Sequence, residues 1–210
     1  MTNPSTSLYL QCLIGIQCQD FVLVAADQTN IQSIIVMSDD EDKLHNISDS
    51  LVMGVIGDHA DAVHLQQYIT KNLQLYKLKN GYELDTPAVV HFTRRTLSDS
   101  LKNGNPTMVN MLLAGYDRNT GSALYALDFL ASCVKVPYAV HGFGGIISLG
   151  ILDDLYRPTL SQTEAYEVLK VCIREIQKRL FANLKNFQVK IVSRCGIKTL
   201  PTINADTFSK

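Results

Sequence analysis

The first third of the chain carries apolar runs with almost no alternation, and this constrains the fold more than any other feature. Leu13-Ile14-Gly15-Ile16 and Phe21-Val22-Leu23-Val24-Ala25-Ala26 are joined by a four-residue turn, Gln17 to Asp20. Ile34-Ile35-Val36-Met37 and Leu51-Val52-Met53-Gly54-Val55-Ile56 follow. A strand with one wet face alternates, whereas near-continuous apolar runs are expected of strands covered on both faces. The chain therefore needs material on each side of its sheets.

Helical patterns supply that material. Asp58 is placed to cap a helix from about Asp58 to Lys79, with Ala62, Leu65, Ile69, Leu73 and Tyr76 at helical spacing and Gly81 at the stop. Thr86-Pro87, a capping residue and a first-turn proline, opens a second helix to about Asn103, with Val90, Leu97 and Leu101 as its apolar face. Met108 to Ala114, Ser122 to Asp128 and Cys133 to Val140 read as three further strands. Gly142 to Leu155 is helix-like despite its glycines. Ser161-Gln162-Thr163-Glu164 is a capping box ahead of the stripe Ala165, Val168, Leu169, Cys172, Ile176 and Leu180. Phe187 to Val192 and Ile197 to Leu200 close the chain as strands around Cys195-Gly196.

Blocks of strands alternating with blocks of helices exclude regular βαβ units. The expectation is an α+β, four-layer αββα sandwich, with two antiparallel sheets face to face between helix pairs. At 210 residues and 46% apolar content one core suffices. We expect an arm over residues 1–9, a single domain over 10–202 and a tail over 203–210.

The balance of 19 basic and 20 acidic residues gives a net charge of −1 and no electrostatic footprint for nucleic acid or an anionic membrane. No apolar run approaches a membrane span of about 18 residues, and Met1 to Leu8 lacks the layout of a secretory signal. Cys12, Cys18, Cys133, Cys172 and Cys195 are odd in number and contain no C-x-x-C pair, so reduced thiols are expected, with Cys172 in the core. His59 and His64 are five apart, not the i, i+4 spacing a helical metal pair uses, and no metal or cofactor is expected.

Six short pieces carry a family likeness: Val24-Ala25-Ala26-Asp27, Lys43-Leu44-His45, Gly57-Asp58-His59-Ala60-Asp61, Leu113-Ala114-Gly115-Tyr116-Asp117, Tyr138-Ala139-Val140-His141-Gly142 and Gly150-Ile151-Leu152-Asp153. In this order and spacing they resemble a proteasome β subunit, and the resemblance extends from about Leu10 to Leu200. Tyr76 to Leu84 and Phe92-Thr93-Arg94-Arg95 resemble the family's type-2 branch, which occupies the fourth β position of the ring. The resemblance implies the N-terminal-nucleophile hydrolase fold.

Catalytic members of that family use an N-terminal threonine freed by cleavage of a Gly-Thr bond, with the amine or a lysine accepting the hydroxyl proton. The family's spacing back from Asp27 puts Gln11 at that position, and the chain contains no Gly-Thr dipeptide. Asp27 and Lys43 match the family's acid and lysine, and Gly57 matches the glycine whose N–H stabilises the oxyanion. Phe143 replaces a supporting serine, and Leu180 and Asn183 stand near a supporting aspartate and serine. The implied catalytic set is empty, with Gln11, Asp27, Lys43 and Gly57 as vestiges. Two accounts of the retained charges stand open: a buried Asp27–Lys43 pair, or a solvated Lys43 after the acidic run Asp39 to Asp42.

The resemblance implies a structural subunit in the cytoplasm and nucleus. Its expected partners are other proteasome α and β subunits, in a seven-membered β ring stacked on an α ring and facing a second β ring. The alternative is an amidohydrolase using Cys12 after processing. His141-Gly142-Phe143-Gly144-Gly145 reads as a turn that starts a helix close to a sheet, and Arg94-Arg95 as a solvated face or subunit contact.

Overall fold

The computed structural model describes residues 10–32, 35–180 and 184–208. The first sheet contains β1 (Cys12–Gln17), β2 (Phe21–Asp27), β10 (Tyr138–Gly142), β11 (Phe187–Ser193) and β12 (Gly196–Ile203), in the spatial order β10-β1-β2-β11-β12. The second contains β5 (Leu44–Ser48), β6 (Leu51–Gly57), β7 (Val109–Asp117), β8 (Gly121–Leu127) and β9 (Cys133–Lys135), in sequence order. Both sheets are antiparallel throughout. A separate hairpin pairs β3 (Asn30–Gln32) with β4 (Ile35–Ser38).

Four helices cover the sheets among the described residues: α1 (His59–Asn80), α2 (Thr86–Lys102), α3 (Gly144–Leu155) and α4 (Gln162–Arg179). Three apolar layers fill the spaces. Ile14, Leu23, Val189 and Ile191 face Leu152, Leu169, Cys172 and Ile176 of α3 and α4. Met53, Val55, Met111 and Leu113 face Leu65, Ile69, Val90 and Leu97 of α1 and α2. Leu13, Val22 and Val24 meet Leu44, Val52, Leu112 and Leu124 between the sheets. Successive residues of β2 thus serve different layers, which is why its sequence shows no alternation. The sheets approach closely at Gly15, where an added Cβ would lie 2.9 Å from both Leu112 and Leu124. This is the four-layer αββα sandwich expected from the sequence.

The helix ends follow local chemistry. Asp58 accepts from the N–H groups of Ala60 and Asp61, and Gly81, at φ +79°, ends α1. The reciprocal capping box at Ser161 and Glu164 forms as expected. At α2 the cap is Asp85 and not Thr86: Asp85 accepts from Ala88 N–H, while Thr86 is the first helical residue and is buried.

Other expectations also change. Ile35, Val36 and Met37 belong to the β3–β4 hairpin and are 62%, 54% and 62% exposed, so this run is not covered on both faces within the chain. Leu101 is 37% exposed and contributes little to the α2 face. The Cys133–Val140 segment is two strands in different sheets, with Val136 and Pro137 crossing between β9 and β10. Proline lacks the N–H that a continuing ladder needs; the Pro137 carbonyl instead accepts from Gln17 N–H, on the first sheet. β12 runs on to a buried Ile203, and Phe208 packs against the α3–α4 layer. The arm expected over residues 1–9 lies outside the described residues.

Candidate functional site

The four residues singled out from the sequence lie near strand ends on one rim of the sandwich. Gln11 precedes β1, Asp27 ends β2, Lys43 precedes β5 and Gly57 ends β6. The antiparallel register of β1 and β2, with Leu13 opposite Ala26, brings Cys12 beside Asp27. The Asp27 Oδ1 accepts from Cys12 N–H at 2.7 Å. Its Oδ2 accepts from Thr29 N–H at 3.0 Å and from Lys43 Nζ at 2.9 Å. Lys43 Nζ also donates to the Thr29 carbonyl at 2.7 Å.

Asp27 is 0% and Lys43 4% exposed, so the buried-pair account holds and the solvated-lysine account does not. Burial pushes the Asp27 carboxyl up from its ordinary value. Lys43 and the N–H groups of Cys12 and Thr29 oppose that by stabilising the charged form. The pair reaches the surface through Glu41, whose Oε2 lies 3.9 Å from Lys43 Nζ and whose Oε1 lies 2.6 Å from His59 Nδ1.

Gln11 and Gly57 make a second unit. Gly57 N–H donates to Gln11 Oε1 at 2.7 Å, and Gln11 Nε2 donates to the Gly57 carbonyl at 3.3 Å. Gly57 has φ +141°, a conformation that side chains other than glycine's rarely adopt. The sequence marked both residues but gave no sign that they bond to each other.

A carboxamide offers neither an attacking atom nor a useful base, and the Gln11 nitrogen is in a peptide bond with the buried Leu10. Cys12 is also unsuited to attack. Its thiol is fully buried in the α3–α4 layer, and burial, reinforced by Asp27, raises its pKa well above the ordinary thiol value. Phe143 stands at the start of α3, and its ring carries no hydroxyl to bring to the site. Leu180 caps the end of α4, and Asn183 lies outside the described residues.

The glycine turn before α3 does bring helix and sheet together. A Cβ on Gly142, at φ +83°, would fall on the Gln11 carbonyl, and one on Gly144 would fall on the Cys12 sulfur. Arg94 Nε donates to the Ala131 carbonyl at 3.2 Å, and Arg95 lies 3.7 Å from Asp99. All five cysteines are free. Among the described residues no three His, Cys, Asp or Glu side chains are grouped to hold a metal, and no helix is long and apolar enough to cross a membrane. A pocket of about 610 Å³ opens at the opposite rim, among the turns at Ser48–Leu51, Tyr116–Asn119 and Ser193–Gly196.

The sandwich, with an acid, a lysine and a backbone donor gathered at the head of β1, defines a scaffold of the N-terminal-nucleophile hydrolase class. The family model described as Proteasome subunit matches residues 11–192. The chain is 40% identical to the proteasome subunit beta type-2 of Oryza sativa subsp. japonica over 90% of its own length and 89% of that protein. It is 34% identical to the proteasome subunit beta type-4 of Saccharomyces cerevisiae over 93% of its length and all of the relative. A probable proteasome subunit beta type-4 of Schizosaccharomyces pombe is 37% identical over 91% and 99% of the two chains. The chain belongs to the proteasome β subunit family.

Proposed function

We propose that this chain is a non-catalytic, structural β subunit of the 20S proteasome core particle. Its role is to complete the β ring around the proteolytic chamber and to serve ATP- and ubiquitin-dependent protein degradation through catalytic neighbours. The observation that carries this reading is the side chain at position 11. It is a carboxamide, hydrogen-bonded to Gly57, where chemistry of this class needs a free hydroxyl and a free amine. Asp27 and Lys43 support it, because each already meets the other's charge.

The proposed partners are two β neighbours in a seven-membered ring, α subunits on one side and β subunits of a second ring on the other. A closed ring of unlike subunits needs side-specific contacts. Exposed apolar side chains at Ile35, Val36, Met37 and Ile146 support burial against other chains. We further propose residence in the cytoplasm and nucleus, a reading that the free thiols support.

The test uses the native particle containing this chain. It is treated with a peptide epoxide that alkylates N-terminal threonines, and every subunit is then weighed by intact-mass spectrometry. The expected result is adducts on catalytic neighbours only, with this chain keeping Gln11 behind Leu10. An adduct on this chain would overturn the proposal.

A further inference from the structure

Gly57 offers an acceptor beside its donor. Val55 N–H donates to the Lys43 carbonyl, so this side of β6 faces β5. Gly57 lies two residues on and presents its polar groups to the same side. There β5 has already ended, since the last pair at that end is Leu44 with Gly54. Among the described residues the main chain of Gly57 is thus an open ladder position, with an N–H and a carbonyl side by side and no strand to meet them. Such a position accepts the peptide group of an extended chain by strand addition.

The Gln11 carboxamide fills that position. A peptide group and a primary amide carry the same pair, one carbonyl and at least one N–H. The carbonyl of Gln11 takes the Gly57 N–H at 2.7 Å, and its NH2 gives to the Gly57 carbonyl at 3.3 Å. Only one orientation of the amide satisfies both. A reversed amide would face donor to donor and acceptor to acceptor.

We propose that Gln11 is a tethered stand-in for a peptide group, holding the Gly57 docking point closed to extended polypeptide. This rests on the non-catalytic reading and adds to it. The chain has lost the attacking group and also carries an internal competitor for the place where a peptide's main chain would bind. The competitor is on the same chain, and its short tether gives it an effective concentration of order millimolar or higher. A passing peptide in the chamber has to displace it. Glutamate at this position would present only acceptors once ionised and would repel the Gly57 carbonyl. Methionine would match the length and make neither bond.

The test compares particles carrying unaltered chain, Gln11→Ala and Gln11→Met, each soaked with N-acetyl-trileucine amide, a peptide without a reactive group, and imaged by electron cryo-microscopy. In the unaltered particle the Gln11 amide should lie on Gly57, with no peptide beside it. Gln11→Met keeps the bulk and serves if the alanine variant does not assemble. At least one variant should show peptide main chain with a carbonyl about 3 Å from Gly57 N. Peptide on Gly57 of the unaltered particle, an amide turned away from Gly57 there, or no peptide in either variant would each overturn the proposal. None of these outcomes involves a covalent adduct, so they are separable from failure of the non-catalytic reading.

Discussion

At the residue scale, the decisive interaction is the ion pair between Asp27 and Lys43, both almost fully excluded from solvent. Removing one partner of such a pair leaves a charge without compensation and typically costs about 3–5 kcal/mol. Lys43→Met should therefore lower the thermal stability of the chain and reduce its recovery in assembled particles. Adding Asp27→Asn should restore part of the loss, because the stranded charge is then gone. Equal recovery of Lys43→Met and unaltered chain would refute this account. The sequence supplied the members of the site by spacing and likeness. It could not supply the partners, because Gln11 and Gly57 are 46 positions apart and their contact depends on where β6 outruns β5. Thr29 was likewise missed. It acts through its main chain, whose N–H and carbonyl hold Asp27 and Lys43, and main-chain roles leave no mark in side-chain identity.

At the scale of elements, legibility followed the strength of local signals. The capping box of α4 and the Asp58–Gly81 frame of α1 were readable because the residues that start and stop those helices act within one turn. Ser161→Ala should remove the N-terminal cap and cost roughly 0.5–2 kcal/mol, measured as a lower midpoint of thermal unfolding. Thr86 misled because threonine and aspartate both cap well. Asp85 takes the role, which frees Thr86 to pack against the Gly115 position of β7, where an added methyl would meet its side chain. β5 was missed because Leu44-His45-Asn46-Ile47-Ser48 is short and mixed, and only two of its residues are buried. The Ile35–Met37 run was assigned to the interior because a sequence records apolarity and not the identity of the covering surface. The break at Val136-Pro137 was legible only in part: proline signals the end of a ladder, but not that the chain then changes sheets.

For the molecule as a whole, the half-buried histidines His45 and His141 set a pH dependence. Burial lowers the pKa of His45, against opposing effects of Asp42 and Glu41 and a reinforcing one of Lys190. Burial also lowers that of His141, against a backbone hydrogen bond with Met111 and the charge of Asp128. Both groups are easier to protonate in the unfolded chain, where the pKa is about 6.5. The folded state then binds fewer protons, so stability is held above pH 6.5 and declines as pH falls below it toward the folded-state values. Each histidine contributes at most about 1.4 kcal/mol per pH unit across that interval. His141→Gln should flatten the fall in thermal midpoint between about pH 6.5 and 5, and an unchanged slope for both His45→Gln and His141→Gln would refute the assignment.

The two sheets also differ in how far apart their strands lie along the chain. One is a meander within residues 44–135, broken only by α1 and α2 between β6 and β7, whereas the other clasps residues 12–27 between strands from 138–142 and 187–203. Closing that clasp spans most of the polypeptide, and such distant pairing is slow. On a ribosome the opening hairpin emerges first yet has to wait for the last segments before its ladder is complete. Pulse-labelled hydrogen exchange during refolding should protect amides of β6 and β7 before those of β11. The rim bearing Asp27 and Gln11 is therefore finished late, and a truncated nascent chain cannot present that rim complete.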